Sequence, residues 1–237
     1  MDVNNRDKKE REIARRLARV FGDHFEEVME QMGDPPRFEN IPEEYWQQYN
    51  VDIRTALNVT LNTAFFNQFM EAMEGFGLSF DDAEASADAL EFIQGYMFDL
   101  VNGIVETTRT GLRKEITAFL QNGDMTIDDL AQRLYRYYSP NRAEMIAITE
   151  VTRAAVEGEE ALIKKLEQEY GVEYELIWLT ANDERVCTYC GPRHNKVVER
   201  FDRPPAHPRC RCTTAYRRKG EGDEEYFDYA LDLTNGR

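Results

Sequence analysis

Apolar residues recur at intervals of three and four along most of this chain, and at intervals of two only after Gly171. A period of 3.6 lines one face of a helix and a period of 2 one face of a strand. The switch therefore predicts an α+β protein: a mainly helical N-terminal two-thirds followed by a small β-rich module that carries the cysteines and two of the histidines. With 237 residues, 42% of them apolar and 11% aromatic, the chain can bury a core unaided and is not a disordered polymer.

The first stripe is Ile13, Leu17, Val20, Phe21, Phe25, Val28, Met29 and Met32, with His24 as surface or core filler. "GDPPRFENIPEEY" ends it, because adjacent prolines cannot continue a helix. The first forty residues thus read as an arm or a packed outer helix. A second stripe runs through Ala56, Leu57, Leu61, Ala64, Phe65, Phe69 and Met73, and a third, opened by Ser79, from Leu90 to Val105. A shorter helical piece carries Leu112, Ile116, Phe119 and Leu120 and stops at Gly123. Thr126 with Asp129 forms a near relative of the capping box, and Ser139–Pro140 opens a long helix that closes on Gly171. "VEYELIWLT" then alternates with Val172, Tyr174, Leu176 and Trp178 on one side, and "NKVVE" and "CTTAYR" are the other strands.

Net charge is −16, which excludes a protein that coats nucleic acid over its whole surface. The charge is uneven. Residues 185–219 hold ten Lys/Arg against Glu199 and Asp202, a net +8, leaving −24 for the rest. Such a patch, with Arg209, Arg211, Arg217, Arg218 and Lys219 at its end, meets a phosphate backbone, an acidic partner or the protein's own acidic helices. No apolar run reaches membrane-spanning length, and the charged N-terminus lacks a signal peptide's apolar centre. The expected setting is a reducing cytoplasm, which weakens a disulfide reading of the cysteines.

All four cysteines fall in the stretch from Asp183 to Lys219. Cys187 and Cys190 have the two-residue spacing that places both on one tetrahedral metal. The second half is ambiguous: Cys187 and Cys190 complete a zinc site with His207 and Cys210, or with Cys210 and Cys212. Buried packing, disulfides formed after release, and a thiol nucleophile with His207 or His194 as base are the alternatives. A second constellation is "ITEVTRA", in which Thr149, Glu150 and Arg153 share one helix face. It reads as a surface ion pair, or as support for the turn at Asp183 and Arg185, or as polar active-site machinery.

Taken in order, "RAEMIAITEVTRAAVEG", the Trp178 strand with "WLTANDERVCTYC", and "PPAHPRCRCTT" resemble the phage Mu F-like minor head protein family, also called the phage head morphogenesis domain. The resemblance runs from the segment near Asn122 to the strand after Cys212. It carries onto Thr149, Glu150 and Arg153, onto Trp178, Asp183, Arg185, Cys187 and Cys190, and onto Pro205, His207, Pro208, Cys210, Arg211 and Cys212. The family's glycine turn after C-x-x-C is "PRHNK" here, with Asn195 expected to take the positive φ.

The chain is expected to divide into four segments: an N-terminal helical arm (1–40), a helical region (41–121), the Mu F-like domain marked by the resemblance (122–220) and an acidic tail (221–237). The resemblance implies a virion protein, at the capsid interior or near the portal, that acts in head assembly. Its partners are the portal, the major capsid protein or both, and double-stranded DNA, with no membrane and no established catalysis. The short sequence after the module leaves no room for the toxin domains that some relatives carry. A structural zinc ion is the candidate cofactor. The competing classes are a nuclease or transferase built on Glu150, Arg153, Asp183 and His207, and a zinc-dependent nucleic-acid-binding module outside any virion.

Overall fold

The computed structural model describes residues 3–77, 83–122, 124–181 and 184–220, with the side chains of 3–4 and 83–92 outside that description. Among the described residues five α-helices precede a three-stranded sheet: α1 (Val3–Gln31), α2 (Glu43–Gly75), α3 (Ala83–Gln121), α4 (Ile127–Tyr135), α5 (Pro140–Tyr170), then β1 (Tyr174–Leu179), β2 (Lys196–Val198) and β3 (Thr213–Arg218). This is the α+β arrangement that the change of period implies.

Local signals account for both ends of α5 and the start of α4. The Thr126 hydroxyl accepts from the Asp129 N–H while the Asp129 carboxylate accepts from the Thr126 N–H, a complete capping box for α4. The Ser139 hydroxyl accepts from the Arg142 N–H at the start of α5, and Gly171 ends that helix at φ +66°. The expected short helix after Val105 is instead the last third of α3, an unbroken 39-residue helix. No proline interrupts that segment, and its glycines are tolerated inside a long helix. Leu120, expected on the apolar stripe, is 55% exposed. The cap at Ser79 and the stop at Gly123 lie outside the described residues.

The chain divides into two compact units, each discontinuous in sequence. In the unit made of residues 11–59 and 94–145, Ile13, Leu17, Phe21 and Val28 of α1 are fully buried, so α1 is a packed helix along this stretch. Phe21, Tyr45, Tyr49 and Tyr138 form an aromatic cluster, and the Tyr45 and Tyr138 hydroxyls share a hydrogen bond of 2.8 Å. His24 is core filler with a partner: its Nε2 lies 2.9 Å from the Asp52 carboxylate.

The other unit comprises residues 1–10, 60–93 and 146–237 and contains the sheet. Strand order is β2-β1-β3, antiparallel throughout, with Trp178 opposite Lys196 and Thr214. Phe69, Ala72 and Met73 of α2 close over Leu162, Ile163 and Leu166 of α5, with Leu176 and Tyr216 from the sheet. Gly158 lets α5 pass directly against the Phe65 carbonyl of α2. Tyr174, Leu176 and Trp178 share one face of β1 as expected, with Val198 packed beside them, but the other face is buried as well. Leu176, Ile177, Trp178 and Leu179 are all buried, since Ile177 and Leu179 form a second apolar cluster with Ala215 on the opposite face.

Candidate metal centre

Two loops, one on either side of β2, bring the sulfur atoms together. In the first, the Cys190 N–H points at Cys187 Sγ (3.4 Å) and the Gly191 N–H donates to the Cys187 carbonyl (2.9 Å), closing a tight turn. The chain then reverses into β2 through Asn195 at φ +58°, as its tolerance of that region implied. The Asn195 N–H donates to the Trp178 carbonyl and the Thr180 N–H donates to His194 Nδ1. His194 is thereby tied into the β1–β2 hairpin.

The second loop turns at Arg209, where φ is +64°. The Cys210 N–H donates to the His207 carbonyl across that turn, and the Arg209 N–H donates to the Thr149 hydroxyl of α5 at 2.9 Å. A side chain 60 residues upstream thus fixes the backbone between His207 and Cys210.

His207 Nε2 then lies 3.2 Å from Cys187 Sγ and 3.3 Å from Cys190 Sγ, and Cys190 Sγ lies 4.0 Å from Cys210 Sγ. Around a tetrahedral zinc, metal–ligand lengths set two thiolates about 3.8 Å apart and a thiolate and imidazole about 3.6 Å apart. Two triads with mutually close ligand atoms result, Cys187–Cys190–His207 and Cys190–Cys210–Cys212, sharing Cys190. They line a cavity of about 30 Å³, the scale of one small ion or water. The Cys190–Cys210 separation is about twice a disulfide S–S length, and all four thiols are unbridged.

The ring of His207 has a defined polarity. Its Nδ1 is 2.8 Å from the Pro208 carbonyl, which can only accept, so Nδ1 carries the proton and Nε2 offers its lone pair to the thiols. That same bond raises the His207 pKa, against a smaller opposing effect of burial. The Cys190 N–H draws the Cys187 thiol down to about 7. Burial pushes Cys190 up, with the Cys210 charge adding to it. Cys210 is lowered chiefly by its bond to the Cys212 side chain, and Cys212 is raised by the same bond. Sulfurs this close cannot all be thiolates without a cation among them.

Trp178 underlies the cluster, fully buried against Cys190, Cys210 and Cys212. Among the motif residues, Glu150 and Arg153 pair on α5 at 3.2 Å, and Arg185 lines the same cavity. Asp183 lies outside the described residues.

The basic segment is engaged inside its own unit. Arg200 meets Glu167 through two bonds of 2.6 and 2.8 Å, and Arg203 meets Glu157 at 2.6 Å. Arg211 pairs with Glu10, Arg217 with Glu175 and Lys219 with Glu173, each within 2.9 Å. Arg209 lines the Cys/His cavity and Arg218 faces Tyr174 across the sheet. Glu157, Glu160 and Glu167 share one face of α5, an acidic stripe readable from spacing. The partners Arg6 and Glu10 carry no such signal, because their contacts span some 200 residues.

Residues 110–215 match the family model described as Phage Mu protein F like protein. The matched stretch begins in the last third of α3 and contains α4, α5 and the whole Cys/His cluster. No curated protein and no solved structure matches the chain.

Proposed function

We propose, from the Mu F-like phage head morphogenesis region that residues 110–215 constitute, that the chain is a minor head protein of a tailed phage or prophage. It acts in head assembly at the capsid interior or beside the portal, with the portal or major capsid protein as partner. The module's role is structural. Cys187, Cys190, His207 and Cys210 hold one zinc ion that clamps the two loops around β2.

The observation that carries this reading is the family match, and the supporting geometry is the meeting of its ordered motifs in one place. Thr149 from the helix motif supports the turn between His207 and Cys210, and Trp178 from the strand motif floors the sulfurs. An enzymatic role finds less support, since the His207 ring has one nitrogen on the Pro208 carbonyl and the other between two thiols. The ion pairs of Arg211, Arg217 and Lys219 favour a protein partner over the DNA backbone. No described helix is long and apolar enough to cross a membrane.

Particles and procapsids purified from an induced lysate test the assignment. The protein is expected to co-purify with the portal in both. Its absence from both overturns the proposal, and duplex binding that weakens steeply with salt shifts the partner from protein to DNA.

A further inference from the structure

Arg211 separates Cys210 from Cys212, and both its side chain and its main chain are held by the first turns of α1. Its guanidinium meets the Glu10 carboxylate with Nη2–Oε2 at 2.7 Å and Nε at 3.2 Å from both oxygens. Arg6 Nη1 donates to the Arg211 carbonyl at 2.9 Å, and Arg6 Nε lies 3.8 Å from Glu10. The site is nearly dry: Glu10 is 4% exposed. Together with the Thr149 hydroxyl on the Arg209 N–H, this fixes two backbone atoms within the four-residue arm that carries Cys210 and Cys212.

We infer that Arg6 and Glu10 are positioning residues of the metal centre, and that zinc binding and docking of the first turns of α1 stabilise one another. The inference rests on the metal reading above. The arm supplies at least one sulfur ligand, so its backbone must be held where a tetrahedral site needs it, and outer contacts of this kind set metal affinity. Linkage then works in both directions: an ion that fixes the arm fixes the surface on which Arg6 and Glu10 dock. Because Glu10 is buried and the Arg211 side chain is only 19% exposed, removing Glu10 strands the Arg211 guanidinium beside Arg6, whereas neutralising both leaves Arg6 alone, still bonded to the carbonyl of residue 211. The consequence is an N-terminal segment whose attachment reports on the ion.

The full-length chain, purified without chelator, is first assayed for zinc. Zinc affinity is then measured by competition with a chromogenic chelator in wild type, E10Q and the double variant E10Q/R211M. E10Q is expected to weaken affinity roughly tenfold at unchanged one-to-one stoichiometry, with the double variant recovering most of it. In parallel, trypsin cleavage at Lys8, Lys9 and Arg11 is followed by mass spectrometry before and after zinc is stripped, and is expected to quicken at least tenfold. One zinc per chain with E10Q within twofold of wild type, or with cleavage indifferent to stripping, overturns the coupling and leaves the metal reading standing. A chain that binds no zinc overturns both.

Discussion

The Arg209 N–H donates to the Thr149 hydroxyl at 2.9 Å, and this one bond joins two parts of the matched region that lie 60 residues apart in sequence. Arg209 sits at φ +64°, a conformation an arginine holds only when its surroundings select it. Thr149 is 9% exposed, so a lost acceptor there is not readily replaced by water.

Replacing Thr149 by valine keeps the shape and removes the acceptor. The expected loss is about 1–3 kcal/mol of stability toward urea in zinc-loaded protein. Thr149→Ser, which keeps the hydroxyl, should stay within about 1 kcal/mol of wild type. Equal losses in the two variants refute the assigned role of the bond.

Gly158 sits where a Cβ meets the Phe65 carbonyl, and that backbone oxygen cannot swing aside. Gly158→Ala is therefore expected to destabilise by about 1–3 kcal/mol even though alanine is the better helix former. For a chain of this size that lowers Tm by several degrees. Gly103 is the control: it is exposed within α3 with open space around its Cβ direction, so Gly103→Ala should raise Tm.

How far the fold was legible depended on the range of each signal. Caps at Thr126 and Ser139, the Gly171 stop and the Asn195 turn are local, and each appears where its residue type requires. The Cys/His cluster was legible as a set of residue types and spacings. Which ligands approach one another was not, because that depends on the φ of Arg209 and on Thr149. The basic segment was legible as a charge excess that could meet the protein's own acidic side chains, but its individual partners were not. A count of Lys and Arg is blind to Glu157, Glu167, Glu173, Glu175 and Glu10, which fold against those cations from other elements. In β1 the strand and the shared face of Leu176 and Trp178 were legible, whereas burial of the second face follows from Leu176–Leu179 being a continuous apolar run.

Glu159 gives the chain a pH dependence of defined sign. Burial holds its carboxyl up at about 8, with the nearby Glu160 and Glu71 charges adding to the rise and the Thr214 hydroxyl, which donates to it at 2.8 Å, opposing it. Between the ordinary value of 4.5 and about 8 the folded state keeps a proton that the unfolded state has released. This contribution is therefore complete below pH 4.5 and is lost as pH rises to 8, a decline on the order of a few kcal/mol. Glu159→Gln cannot release that proton. Urea unfolding at pH 5 and pH 8 should show the variant gaining on wild type as pH rises. Parallel profiles would falsify the assignment.

The five candidate ligands are not equivalent, and metal affinity should rank them. His207 Nε2 stands within 3.3 Å of both Cys187 and Cys190 with its proton committed to the Pro208 carbonyl, the arrangement of a ligand nitrogen. Cys212 lies beside β3 against Trp178, two residues beyond Cys210. His207→Ala is expected to lower zinc affinity at least a hundredfold, because three protein ligands hold a structural zinc poorly. Cys212→Ser should cost no more than about tenfold, the effect of an outer contact. The measurement is chelator competition at pH 7, with far-UV circular dichroism to establish that each variant keeps its helices. A reversed order assigns the ion to Cys187, Cys190, Cys210 and Cys212 and leaves His207 as the outer residue.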